Sequence, residues 1–87
     1  MPNAIIKKVD MSDEMKEFAI LVAKDALSKK ATEHEAASEI RSIFQQKYGR
    51  KWHCLVGRHY AAFVTHEEGS YIYFYIGQTG ITLFSTA

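Results

Sequence analysis

Apolar positions recur with one period in the first half of the chain and another in the second. The segment Ala4-Ile5-Ile6 with Val9 reads as a short strand ended by Asp10. Apolar residues then return at helical spacing, with Met15, Phe18, Ala19, Val22 and Ala26 on one face of a helix that begins after Ser12. A serine at that point can accept from the free amides of the first turn, and Asp13 and Glu14 suit the positive end of the helix dipole, as Lys29 and Lys30 suit its negative end. Thr32-Glu33-His34-Glu35 has the spacing of a capping box, in which Thr32 accepts from the Glu35 amide while the Glu35 side chain reaches back. It predicts a second helix with the apolar face Ala36, Ala37, Ile40, Ile43 and Phe44, ended near Tyr48 by Gly49 in the left-handed conformation. The short Ala31-Thr32 junction makes the two helices antiparallel neighbours.

From Trp52 the period drops to two. Trp52–Val56, Tyr60–His66, Tyr71–Ile76 and Ile81–Phe84 read as strands, separated by turns at Gly57, at Glu67-Glu68-Gly69-Ser70 and at Gly77-Gln78-Thr79-Gly80. Within Tyr71–Ile76, alternation sets Tyr71, Tyr73 and Tyr75 on one face and Ile72, Phe74 and Ile76 on the other. The predicted order is βααββββ. Two helices followed by hairpin-linked strands predict an α+β fold, with the helices packed on an antiparallel sheet.

Composition adds a problem to this pattern. The chain has 87 residues and a net charge of +1, enough for one domain spanning residues 1–87. A domain of that size buries roughly 60–65% of the surface its unfolded chain exposes, so a second copy, a ligand or a metal would help it. The one cysteine, Cys54, excludes an internal disulfide and favours a reducing compartment. No apolar run approaches the ~18 residues of a membrane span, and the start of the chain lacks the apolar stretch of a signal peptide. Charge is concentrated before residue 52, since only Arg58, Glu67 and Glu68 follow it, while most of the aromatic residues lie after it. An uncharged aromatic half on so small a chain points to an interface.

Several chemistries can be weighed against that half. Cys54 with His53, His59 or His66 could be drawn as nucleophile and base, but His53 and Cys54 alternate to opposite faces and no third group orients them. Cys54, His59 and His66 would make a metal site one ligand short, without paired-ligand spacing. No glycine loop resembles a phosphate cradle, and Glu67-Glu68 reads as a solvated turn. No catalytic residue, cofactor or metal is therefore expected. Base stacking on an aromatic sheet needs cations nearby, and residues 59–87 hold no Lys or Arg, which argues against a nucleic-acid partner. The Tyr71/Tyr73/Tyr75 stripe combines apolar area with polar tips, the mixture favoured where one protein meets another. Ala61-Ala62 in Tyr60–His66 would let a further backbone approach, as in strand addition. His53, if it lies between subunits, would weaken their association when protonated.

Three strings make the pattern recognisable: Trp52-His53-Cys54-Leu55-Val56-Gly57-Arg58, Phe63-Val64-Thr65-His66-Glu67 and Ile72-Tyr73-Phe74-Tyr75-Ile76-Gly77-Gln78. With Asp10-Met11-Ser12-Asp13-Glu14-Met15, they resemble the smallest class of cytoplasmic dynein light chains, the dimeric hub type rather than the roadblock or Tctex types. The resemblance runs from about Ala4 to Phe84. It implies a homodimer in which the strand Tyr60–His66 crosses over to complete the sheet of the other subunit. It also implies two symmetric grooves, each taking a short linear motif, often containing Thr-Gln-Thr, as an added strand. Glu33 and His34 would meet the motif's glutamine. The walls would be Tyr60, Ala61, Ala62, Phe63, Val64, Thr65, His66, Tyr71, Tyr73 and Tyr75, with Lys7 at one end. His53, Arg58, His59, Tyr60, Phe63 and Thr65 would form the dimer interface, and Thr86 falls where the family carries a phosphorylatable serine.

The expected partners are a second copy, the dynein intermediate chain and other motif-bearing proteins, in the cytoplasm on a microtubule motor. The alternative is a dedicated structural subunit of an axonemal dynein or other complex, without general motif binding. This chain departs from the family pattern at Ala61-Ala62 (usually Gly-Ser), at His34 (usually Lys) and at Gly49-Arg50-Lys51, where a proline is usual. The first two departures bear on motif preference.

Overall fold

The computed structural model describes residues 3–58 and 68–86. The expected strand Tyr60–His66, with His59 and Glu67 on either side of it, lies outside them. Within them the order is β1 (Ala4–Asp10), α1 (Asp13–Lys29), α2 (Glu33–Tyr48), β2 (Lys51–Gly57), β3 (Tyr71–Ile76) and β4 (Thr79–Thr86). The four strands form one antiparallel sheet in the order β1-β3-β4-β2. This is the expected architecture of two helices on an antiparallel sheet.

The local signals act as anticipated. Ser12 caps α1 by accepting from the Met15 amide at 3.2 Å, and Thr32 caps α2 by accepting from the Glu35 amide at 3.1 Å. The Glu35 carboxylate completes the box differently from expectation: it accepts from the Thr32 hydroxyl at 3.0 Å. α2 stops at Gly49, which has φ 69° and ψ −155°, a region open to glycine but not the left-handed helical one. The next residue, Arg50, also has positive φ, at 67°. The Gly49 carbonyl is fixed from below by Trp52, whose Nε1 donates to it at 2.7 Å. Trp52 itself is buried against Phe44, ring centroids 4.9 Å apart.

The helices pack on one face of the sheet. Ala19, Val22, Ala23 and Ala26 of α1 and Ala36, Ile40 and Phe44 of α2 share a core with Trp52, Ile72, Phe74, Ile76, Ile81 and Leu83. Ala23 is a core residue that the helical pattern had not singled out, while Met15, Phe18, Ala37 and Ile43 are only partly buried. Small alanines on α1 let the two helices approach closely. Lys29 and Lys30 at the end of α1 pair with Glu39 of α2, at 3.8 and 3.4 Å, and hold the helix pair together at that end.

The last strand is longer than expected, and the turn before it shorter. Ile76 pairs with Thr79, which leaves Gly77-Gln78 as a two-residue hairpin turn with Gly77 at φ 62°. Gly80 therefore belongs to the ladder, between Tyr75 and Gly57, and not to the turn. At the other end β4 continues to Thr86, opposite Lys51. There the buried Ser85 donates its hydroxyl to Ser70 at 2.7 Å and its amide to the Ser70 carbonyl at 3.1 Å, so the entry to β3 is tied to the end of β4.

Candidate functional site

The register assigns each side chain to a face. Tyr71, Tyr73 and Tyr75 stand opposite Phe84, Thr82 and Gly80 of β4, which in turn stand opposite His53, Leu55 and Gly57 of β2. Cross-strand partners share a face. The tyrosines, His53 and Leu55 therefore lie together on the sheet face away from the helices. Trp52, Cys54 and Val56 point to the helix side, so His53 and Cys54 are on opposite faces, as alternation predicts.

Lys7 follows Ile5 onto the tyrosine face by alternation, and Lys8 joins it because β1 then breaks its alternation. Ile6 pairs with Phe74 and Lys8 with Tyr73, leaving Lys7 as the extra residue of a bulge. The bulge lets both lysines lean over the tyrosine face: Lys7 Nζ lies 5.8 Å from the Tyr75 ring and Lys8 Nζ 5.9 Å from the Tyr71 ring. Lys8 was not expected there, although the run Ile5-Ile6-Lys7-Lys8-Val9, which breaks a period of two, is its signal. The Tyr73 hydroxyl donates to that of Tyr75 at 3.3 Å, which raises the Tyr73 pKa above its usual value, with desolvation adding to the effect. Ile5, Lys7, Tyr73, Tyr75 and Gly77 line a cavity of about 410 Å³. It combines an apolar wall, two phenols and one cation.

The second group of expected residues sits at the other edge of the sheet. His53 stacks on Phe84, centroids 5.1 Å apart and planes 24° from parallel, and its Nε2 lies 3.0 Å from Thr86 Oγ1. Its neighbour on that face, Leu55, is 43% exposed. Glu33 and His34 are exposed in the first turn of α2, where His34 overhangs β2 and shares a cavity of about 310 Å³ with it. Arg58 is exposed just past the end of β2.

The structure thus brings Lys7 together with Tyr73 and Tyr75, and His34 together with β2. It does not bring these two groups together, because β1 and β2 are opposite edges of the sheet. The wall residues Tyr60, Ala61, Ala62, Phe63, Val64, Thr65 and His66, and the interface residue His59, lie outside the described residues. So do two of the three members of the Cys54/His59/His66 set. Among the described residues no group of three His, Cys, Asp or Glu could hold a metal. Burial pushes the Cys54 thiol up to about 12, with Arg41 pulling weakly the other way. A thiol so protonated is a poor nucleophile.

A family model described as dynein light chain type 1 matches residues 3–86. The chain belongs to the dynein light chain family. A dynein light chain of Schistosoma mansoni is 45% identical over 84 residues, covering 97% of this chain and 94% of that protein. A Candida glabrata protein named dynein light chain 1, cytoplasmic, is 38% identical over 86 residues, covering 99% of this chain and all of that one. Among solved structures, the dynein light chain-like domain of a Fasciola hepatica calcium binding protein superimposes with a TM-score of 0.85 at 22% identity, covering 99% of this chain and 93% of that domain. That likeness carries the fold of two helices on an antiparallel sheet. The comparisons agree with the family that the sequence resembles, and the family is one of adaptor and structural subunits.

Proposed function

We propose that this chain is a non-enzymatic homodimeric hub, one domain per copy, that binds short linear motifs by strand addition in two symmetric grooves. The observation that carries this reading is the separation of the expected groove residues. Lys7, Tyr73 and Tyr75 stand at the β1 side of the sheet and His34 at the β2 edge, too far apart to line one groove within a copy. A groove shared between two copies accommodates both groups, with α2 from one copy and the tyrosine face with Tyr60–His66 from the other. Among the described residues β2 is paired on one side only, by β4, and its other edge suits a strand from the second copy.

The physics of that arrangement matches a hub. Main-chain hydrogen bonds of an added strand supply affinity for many sequences, and side-chain pockets select among them. A guest Thr-Gln-Thr segment would run along Tyr60–His66, its glutamine meeting Glu33 and His34. Two grooves on one dimer let a dimeric partner bind twice, which adds avidity without new contacts. The partners are the dynein intermediate chain and other motif-bearing proteins, on a microtubule motor in the cytoplasm, as the name of the Candida glabrata relative suggests. Calorimetry with a Thr-Gln-Thr peptide tests the reading. One peptide bound per chain supports it, and no heat at high peptide concentration with an intact dimer overturns it.

A further inference from the structure

The sheet has two outer strands, and the hub reading places the second copy on β2. That leaves β1 open on every copy, since among the described residues nothing pairs with its outer side. The strand is exposed from Lys7 to Asp10, and two of its apolar side chains stand in solvent, Ile5 at 57% and Val9 at 42%. Ile5 pairs with Tyr75 on the tyrosine face and Val9 with Ile72 on the helix face. An open edge with apolar side chains on both faces is a template for a further strand. A dimer would carry two such edges related by symmetry, so pairing of β1 with β1 would join dimers into an open-ended chain.

Two features oppose this, and both sit in the middle of β1. Lys7 is the extra residue between the pairs Ile6–Phe74 and Lys8–Tyr73. A residue of this kind interrupts the ladder, bends the strand and increases its twist, so a straight strand laid on the outer side loses its register halfway along. Lys7 is also the central residue of Ala4–Asp10, with Lys8 beside it. Full-length antiparallel pairing of two β1 edges would set the lysines of both copies against one another, where like charges repel. Their contacts with the Tyr75 and Tyr71 rings hold both charges at this edge. We propose that the Lys7 bulge and the two adjacent lysines close the β1 edge to strand addition, so that copies assemble only through the β2 side. This goes beyond the hub reading, because it concerns the opposite edge of the sheet and needs no guest peptide.

The register supplies a variant that tests it. Deletion of Lys7 leaves Ile6 opposite Phe74 and Lys8 opposite Tyr73, which alternate as neighbours in a regular strand do, so no side chain changes face. Sedimentation velocity over a wide concentration range is the readout, with circular dichroism to show that each variant is folded. The wild type should keep one mass throughout. The deletion variant should match it when dilute and rise at least about twofold above it when concentrated, as the joining of whole particles requires. Adding Ile5→Lys and Val9→Lys to the deletion should restore the wild-type mass. A length-preserving variant, Lys7→Thr/Lys8→Thr, keeps the bulge and loses the charges, and should associate measurably but less. The proposal is overturned if the folded deletion variant keeps the wild-type mass at every concentration, or if its association survives Ile5→Lys and Val9→Lys. If the deletion variant does not fold, Lys7→Thr/Lys8→Thr decides: association supports the proposal and the wild-type mass overturns it. A wild type that is monomeric throughout overturns the dimer of the hub reading, and the variants then test the β1 edge against that monomer.

Discussion

Nε2 of His53 lies 3.0 Å from Oγ1 of Thr86, across adjacent strands β2 and β4. The residue expected at the subunit interface and the residue expected to accept phosphate therefore touch. A negative charge at position 86 would sit against a ring that is stacked on Phe84 and that the proposed dimer would remove from water. Thr86→Glu should weaken dimerisation, whereas Thr86→Val, which removes the hydroxyl without adding charge, should have a much smaller effect. Sedimentation equilibrium of the two variants distinguishes charge from the loss of one hydrogen bond.

His53→Lys places a permanent charge at the same point. An unpaired buried charge costs several kcal/mol, which would weaken the proposed interface. The variant should be largely monomeric by sedimentation while keeping the helical signal of the wild type, because the His53 side chain lies outside the helix-side core. A dimer as tight as wild type would remove His53 from the interface.

The thiol of Cys54 predicts how stability depends on alkaline pH. Its folded pKa is raised from 9.0 to about 12 by burial. Between those values the unfolded chain has lost the proton and the folded chain still holds it, so folding stability falls as pH rises above 9.0. The slope is at most about 1.4 kcal/mol per pH unit from this group. Cys54→Ala should lower stability at neutral pH through the lost packing, and should flatten this alkaline decline. Urea melts of both proteins at pH 7, 9 and 10.5 measure it, and iodoacetamide should label the native thiol far more slowly than the unfolded one.

Arg50 pays for its loop in backbone strain. With φ at 67° it occupies a region that costs a side-chain-bearing residue roughly 1 kcal/mol. Arg50→Gly should be neutral to stabilising by up to about 1 kcal/mol, because relief of strain opposes the added freedom of the unfolded chain. Arg50→Pro should destabilise by more than that, since proline cannot reach positive φ. Thermal melts of the two variants give the order.

Ser85→Ala should cost about 1 kcal/mol. It removes a buried hydroxyl that donates to Ser70 at 2.7 Å and leaves the backbone bond between the two residues in place. Loosening should be seen first in amide exchange at the start of β3.

Legibility in the sequence followed the range of the interaction. Ser12, Thr32 and Glu35 act within one helical turn, so the sequence alone locates the helix starts. The Tyr71–Ile76 alternation likewise needs no information from outside the strand. Pairing was different. The strand order β1-β3-β4-β2 depends on contacts far apart in the chain, and so does the placing of His53 beside Thr86. The Gly77–Gly80 run reads as a four-residue turn because both glycines are turn formers. Only the ladder with Gly57 shows that Gly80 belongs to a strand. The place of Lys8 is not legible in the sequence, because a regular strand points it away from Lys7 and only the bulge puts both on one face. The strings around Trp52 and Tyr73 identified the family, whereas the division of the site between two edges of the sheet became visible only in three dimensions.

The most direct measurement mixes two damaged copies. Tyr75→Ala removes the tyrosine side of the groove, and a Glu33→Ala/His34→Ala double variant removes the α2 side. Each homodimer should bind a Thr-Gln-Thr peptide poorly. If each groove draws on both copies, subunit exchange creates heterodimers with one intact groove, and peptide binding recovers in the mixture. Binding in the mixture no better than in either variant alone, with both proteins dimeric and exchanging, would contradict a groove built from two copies.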